Sequence, residues 1–196
     1  MNVSKTGICN LAVSWLGGRH ITSVDNDDSF EARLCRANYD LSRTAVLEER
    51  EWTFAVKRII LAPLAAEPTF GFTYQFAIPA DMLRSIEVYD LNDQGIQHLL
   101  EDNKIMCDEP TIQLKYLSNE ETTTRFSSLF VQAFAAHISS NIALALTKDK
   151  TLQKNMYAVY IDKLQRAIST DSLQGSREML KRSQLEKSRR HFVRER

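Results

Sequence analysis

The sequence predicts an α+β fold: mainly an α-helical bundle of four helices, with an inserted small antiparallel β subdomain and an extended basic C-terminal arm. Three observations point there. Apolar residues recur at helical spacing near the beginning and towards the end of the 196-residue chain. Between these regions the pattern changes to alternation punctuated by Pro and Gly. Charge is also segregated: residues 177–196 hold eight Lys or Arg against three Glu, a net of +5 in a chain whose total is zero, so residues 1–176 carry −5. Blocks of like charge are usually interaction arms rather than packed core.

The first helix is predicted over residues 5–16. Ile8, Leu11, Ala12, Trp15 and Leu16 fall at i, i+3, i+4, i+7 and i+8 on one face. Gly17 and Gly18 supply its stop. The loop GRHITSVDNDDS follows, with Asp28 as the expected cap of the next helix and Glu31 three residues on completing a capping box. That second helix is expected over 29–50, with Phe30, Leu34, Ala37, Leu41 and Ala45 as its buried stripe.

Residues 52–61 are β-capable, and Pro63, Pro68 and Gly71 punctuate a loop. Phe72, Tyr74, Phe76 and Ile78 then alternate with other residues up to Pro79, as in a half-buried strand. Residues 83–91 alternate again, with Ile86 and Val88 on one face and Tyr89 on the other. Short strands are expected at 95–100, 104–107 and 111–117. The core of this subdomain is assigned to Trp52, Phe54, Phe72, Tyr74 and Phe76.

Helical spacing returns near Thr124. Phe126, Phe130, Ala133, Phe134, His137, Ile138, Asn141 and Leu144 trace one face, and five alanines between 133 and 145 permit close packing. The stretch 129–146 is the most apolar in the chain, but Gln132, His137, Ser139, Ser140 and Asn141 interrupt it. It is read as a core helix rather than a membrane span. A last amphipathic helix places Leu152, Met156, Tyr160, Leu164 and Ala167 on its face. The expected bundle core is Leu11, Trp15, Leu34, Leu41, Phe130, Phe134, Ile138, Leu152, Met156 and Leu164. The organisation is thus bundle helices over 1–51, β subdomain over 52–122, bundle helices over 123–172 and basic arm over 173–196.

The composition, 43% hydrophobic and 26% charged, is that of an ordinary globular chain. The first eighteen residues contain one lysine and no long apolar run, so no signal peptide is expected. Cys9, Cys35 and Cys107 are odd in number and lack metal-like spacing, so reduced, mostly buried thiols are expected.

The search for chemistry is largely negative. Asp25, Asn26, Asp27 and Asp28 form an acidic turn. As an EF-hand it fails, because Phe30 stands where Gly is needed and Arg36 where Glu is needed. The sequence carries no GxSxG, Walker A, GxGxxG or HExxH motif. His20, His98, His137 and His191 are scattered, and His137 is expected to be a satisfied core or interface histidine. No catalytic residue, metal or cofactor is therefore assigned. The arm offers Arg177, Lys181, Arg182, Lys187, Arg189, Arg190 and Arg194 as cations, with Leu180, Leu185 and Phe192 as apolar anchors. That combination suits docking on a partner protein better than sequence-specific DNA reading.

Several segments resemble one family. ICNLAVSWLGGRHITSVDNDDSFEARLCRANYD resembles the opening of phage head–tail adaptors, the tail tubular protein A family of short-tailed phages. LEEREWTFAVKRIILAP carries the Trp-x-Phe-Ala pattern (Trp52, Phe54, Ala55) that follows the second helix in that family. FTYQFAIPADMLRSIEV resembles its aromatic–polar strand followed by Pro79-Ala80-Asp81. FVQAFAAHISSNIALALTKDKTLQKNMYAVYIDKLQRAISTD resembles its Ala-rich third helix, short break and fourth helix. The resemblance spans residues 5–171.

It implies a structural virion protein without catalysis: a homo-oligomeric, dodecameric ring at the head–tail junction, assembled in the host cytoplasm. The ring would join the portal protein to the tail nozzle (a tail tubular protein B-like partner) and surround DNA that slides past without sequence-specific binding. By the same resemblance, the arm would dock on the portal. The alternatives at this stage are a virion-associated cell-wall polysaccharide hydrolase and a nonspecific DNA-binding protein.

Overall fold

The computed structural model describes residues 3–174; the arm residues assigned to portal docking lie outside the described residues. Within them the chain is α+β. Four α-helices run over Lys5–Ser14 (α1), Phe30–Glu48 (α2), Ser128–Thr147 (α3) and Lys150–Gln174 (α4). Between α2 and α3 lie six strands: Val56–Leu61 (β1), Tyr74–Ala77 (β2), Met82–Tyr89 (β3), Leu99–Glu101 (β4), Lys104–Cys107 (β5) and Ile112–Ser118 (β6). They form two antiparallel three-stranded sheets, ordered β1-β6-β3 and β2-β5-β4.

Helix α1 begins at Ser4, whose hydroxyl accepts from the Gly7 amide at 3.0 Å. It ends just before Gly17, which takes φ +69°, and Gly18, where a Cβ would stand 2.7 Å from Val13 Cγ1. The following loop is held by Asn10, whose side chain both donates to Ile21 O (2.9 Å) and accepts from Ile21 N (2.8 Å). Helix α2 is capped by Ser29, which accepts from Ala32 N at 3.3 Å, and not by Asp28. The expected capping box is absent as well: Glu31 accepts from the Arg19 amide at 3.3 Å.

Helix α3 is the hub, packing against α1, α2 and α4. Ser127 caps it, accepting from Phe130 N at 3.2 Å. Eleven of its twenty residues are buried, including Ala133, Ala135, Ala136 and Ala143, whose small side chains let the neighbours approach. By length and composition α3 is apolar enough to cross a membrane, despite its five polar interruptions, and 61% of its most apolar window is buried inside the protein. Ser139 shows how those interruptions are accommodated: its hydroxyl lies 2.8 Å from Ala12 O and 2.9 Å from Ala135 O.

Two apolar cores result. The larger lies among the helices and reaches Leu117 of β6; the smaller joins the two sheets through Phe76, Val88, Ile105, Ile112 and Leu114. Phe130, Phe134, Ile138, Met156 and Leu164 are buried in the larger one as expected, with Leu11, Trp15, Leu34 and Leu152 half-buried at its border. Leu41 corrects the sequence reading: it is 74% exposed. The inward face of α2 is Ala32, Cys35, Tyr39, Ser42, Arg43, Val46 and Leu47, so the expected stripe points largely outward. Hydropathy favoured the wrong side because the buried face carries polar side chains, several of them engaged by neighbours. Arg43, for example, pairs with Asp40 (3.1 Å) and Glu121 (3.2 Å).

Trp52 and Phe54 also need correction. They precede β1 in a turn and pack in the helical core, not with the strands. Trp52 is fully buried and donates from Nε1 to Val46 O at 2.9 Å, with its ring edge-on to Phe130 at 5.0 Å. Phe54 lies 5.0 Å from Phe130 and 5.5 Å from Phe126. Of the other residues assigned to the strands' core, Phe76 is fully buried there and Tyr74 packs against it. Phe72 lies outside β2, half-exposed, on the wall of a groove.

Candidate functional site

Among the described residues, several groups that could do chemistry are engaged structurally. Asp25 pairs with Lys5 at 3.2 Å. Asp27 accepts from Ser29 N (2.8 Å), Thr22 N (3.0 Å) and Thr22 Oγ1 (3.1 Å). The Ser29 and Thr22 amides hold its carboxyl down at about 2. Asp25 and Asp27 are thus tied into the local structure of the turn. Among the described residues no group of three or more His, Cys, Asp or Glu is placed to hold a metal. Cys9 and Cys35 face each other across the α1–α2 seam, both buried; hydrogen bonding to Cys35 and burial push the Cys9 thiol up.

His137 sits on α3 with its ring 4.7 Å from that of Tyr160 and its Nδ1 3.4 Å from Asn141 Nδ2. Tyr160 donates to Glu49 at 3.3 Å. Burial lowers the His137 pKa, with Glu49 pulling weakly the other way. The unfolded chain therefore takes up this proton more readily than the folded one. His137 favours the fold above its ordinary value of 6.5 and withdraws that contribution as pH falls through 6.5 towards the folded value. Urea midpoints measured from about pH 7 to about pH 5 are expected to fall less steeply in His137→Gln than in the wild-type chain.

Three acids are anchored by the fold; Asp81 stood in the Pro79-Ala80-Asp81 motif with no role assigned, and Glu120 and Asp171 were not singled out from the sequence. Asp81 accepts from Lys57 Nζ (2.7 Å) and from Tyr116 Oη (3.2 Å), tying β1 and β6 to the start of β3. The hydrogen bond from Lys57 holds its pKa down, while burial and Asp81 push Tyr116 up to about 12. Glu120 is buried; desolvation raises its pKa, but bonds from Thr122 and Arg125 (2.7 Å) outweigh this and leave it lowered. Asp171, buried in the last turn of α4, accepts from Thr53 Oγ1 (2.7 Å), Thr53 N (3.2 Å) and Arg50 Nε (3.3 Å). A signal for it existed: Leu164, Ala167 and Asp171 fall at i, i+3 and i+7 on one stripe. This triad fixes the end of α4, and so the point from which residues 175–196 depart, beside the turn into β1.

What remains available is surface. On α2, Phe30 (47% exposed) and Leu41 share the outward stripe with Ala37. On the outer face of the second sheet, a groove of about 270 Å³ runs between Leu99 and Met106 and the loop carrying Phe70 and Phe72. A shallower hollow of about 400 Å³ lies over Arg58, Ile60, Gln113 and Lys115 of the first sheet. There Arg58 and Glu87 flank Lys115 as cross-strand neighbours, and Lys115 pairs with Glu87 at 2.8 Å. These are places for contact, with no convergent set of catalytic groups. Compared with known proteins, the chain matches no family model and no curated protein.

Proposed function

We propose that this chain is a structural head-to-tail adaptor of a short-tailed phage virion, without catalytic activity. In this reading its four helices form a bundle and its strands an inserted subdomain. Copies assemble into a ring at the head–tail junction, between the portal protein and the tail nozzle, around a channel through which DNA slides. The sequence resemblance over residues 5–171 supports this.

The structural observation that carries the reading furthest is the outward stripe of α2. Phe30, Ala37 and Leu41 follow one another at regular helical spacing, with Leu41 74% exposed. A lone chain gains nothing from an apolar stripe in water, whereas lateral packing between identical subunits buries it. The fixed end of α4 supports the second half of the reading. A basic segment of net charge +5 leaves from a defined point, suited to an acidic partner surface above or below a ring. Weak contacts repeated around a ring add up through avidity.

Native mass spectrometry of the chain, alone and mixed with its phage's portal ring, tests this. A monomer that becomes a stoichiometric ring on the portal is expected. A chain ending at Gly175 is expected to keep its circular dichroism and lose portal binding entirely. A full-length chain that ignores the portal, or a truncated chain that binds it normally, would sink the assignment.

A further inference from the structure

A groove lies on the face of the second sheet, under the loop that carries Phe70 and Phe72. Its floor is apolar, from Leu99 and Met106, and its wall carries Phe70, an aromatic ring 86% exposed with no core to enter. Its rim is acidic. Glu101 and Asp102 line it, and Lys104, the one cation among the lining residues, is already paired with Asp102 at 3.2 Å. Asp108 accepts from Thr73 N and Oγ1, both at 2.9 Å, at the foot of the wall loop, and Glu67 precedes Pro68 on that loop. An apolar trough whose charged lining is net negative fits a peptide that alternates cations with apolar anchors.

We propose that the occupant is the chain's own C-terminal segment, residues 177–194, held in this groove in the free monomer. Its composition is complementary: seven Lys or Arg with Leu180, Leu185 and Phe192 among them. Its origin suits the placement. Asp171 fixes the end of α4 against Thr53, three residues before β1 starts at Val56. The groove's wall loop begins at the other end of β1, a strand of six residues, or about 20 Å. The 22 residues after Gln174 can span about 70 Å, several times that length. Held there, the basic segment neutralises acids of the same chain and covers Phe70 until a larger acidic surface displaces it. The proposal does not depend on the adaptor reading, since it concerns the monomer in the absence of any partner.

Zero-length carbodiimide cross-linking of the full-length chain at low salt reads this contact, with the monomer band digested and mapped by mass spectrometry. Isopeptide bonds from Lys181 or Lys187 to Glu101, Asp102 or Glu67 are expected. Their yield is expected to fall about tenfold in 1 M salt, where screening shortens to about 3 Å. A comparable fall is expected in the Phe70→Ser, Leu99→Ser double variant. Both substituted side chains are substantially exposed, so its circular dichroism and melting temperature serve as the folding control. Arm lysines joined to other acids instead, links found in a dimer band alone, or yields unchanged in the double variant would overturn the proposal. The cross-link contains no portal protein, so its failure and a failure of portal binding are separate results.

Discussion

Trp52→Ala is expected to cost about 3–5 kcal/mol of folding stability, the usual range for emptying a fully buried large aromatic site. The indole is fully buried where α2, α3 and the turn into β1 meet. Its removal strips the edge-on contact with Phe130 and the stacking on Phe54 at 6.0 Å, and leaves the Val46 carbonyl without its Nε1 donor. Trp52→Phe restores most of the volume but not the hydrogen bond, and should cost about 1–2 kcal/mol. Urea unfolding followed by far-UV circular dichroism separates the two. Equal midpoints for wild type and Trp52→Ala would mean that this aromatic cluster does not hold the helices together.

Asp171→Ala comes next, at about 1–3 kcal/mol, because it removes a buried carboxylate that several part-buried donors share rather than merely deleting one contact. Thr53 N, Thr53 Oγ1 and Arg50 Nε all lose their acceptor at once. Asp171→Asn keeps the shape but aims an amide group at donors, and is expected to recover less than half of the loss. Chemical denaturation gives the totals. Hydrogen exchange should locate the damage in the last turns of α4, whereas loss spread evenly over the chain would contradict the anchoring role.

The sequence made the order of elements legible because periodicity survives where one face meets water. The strand at residues 104–107 coincides with β5, and alternation through residues 83–91 located β3. The α2 face was not legible, since both sides carry apolar residues and the buried side admits Ser42 and Arg43, whose partners come from other elements. Trp52 and Phe54 were misassigned for a related reason: an aromatic run beside a strand reads as strand core, while the turn that redirects both rings is set by tertiary contacts. Glu120 was missed because an isolated acid has no period; Asp171 shares a stripe with Leu164 and Ala167, but what distinguishes it is a partner 118 positions away. The basic segment was plain in the sequence; the groove proposed to receive it was not, since its floor and wall come from two strands and a loop that only the fold brings together.

The span of these contacts has a consequence for how the chain reaches its structure. Ser139 bonds to Ala12 across 127 positions and Arg50 to Asp171 across 121, so the helical core closes through pairings that bracket all six strands. Loops of that length form slowly, and folding dominated by such contacts runs towards the millisecond-to-second end of the range. During synthesis the first two helices emerge long before α3 exists, with the inner faces of both bare. The protein thus spends a large part of its synthesis as an amphipathic pair seeking the helix not yet made, and its yield in the cell depends on keeping such nascent chains apart.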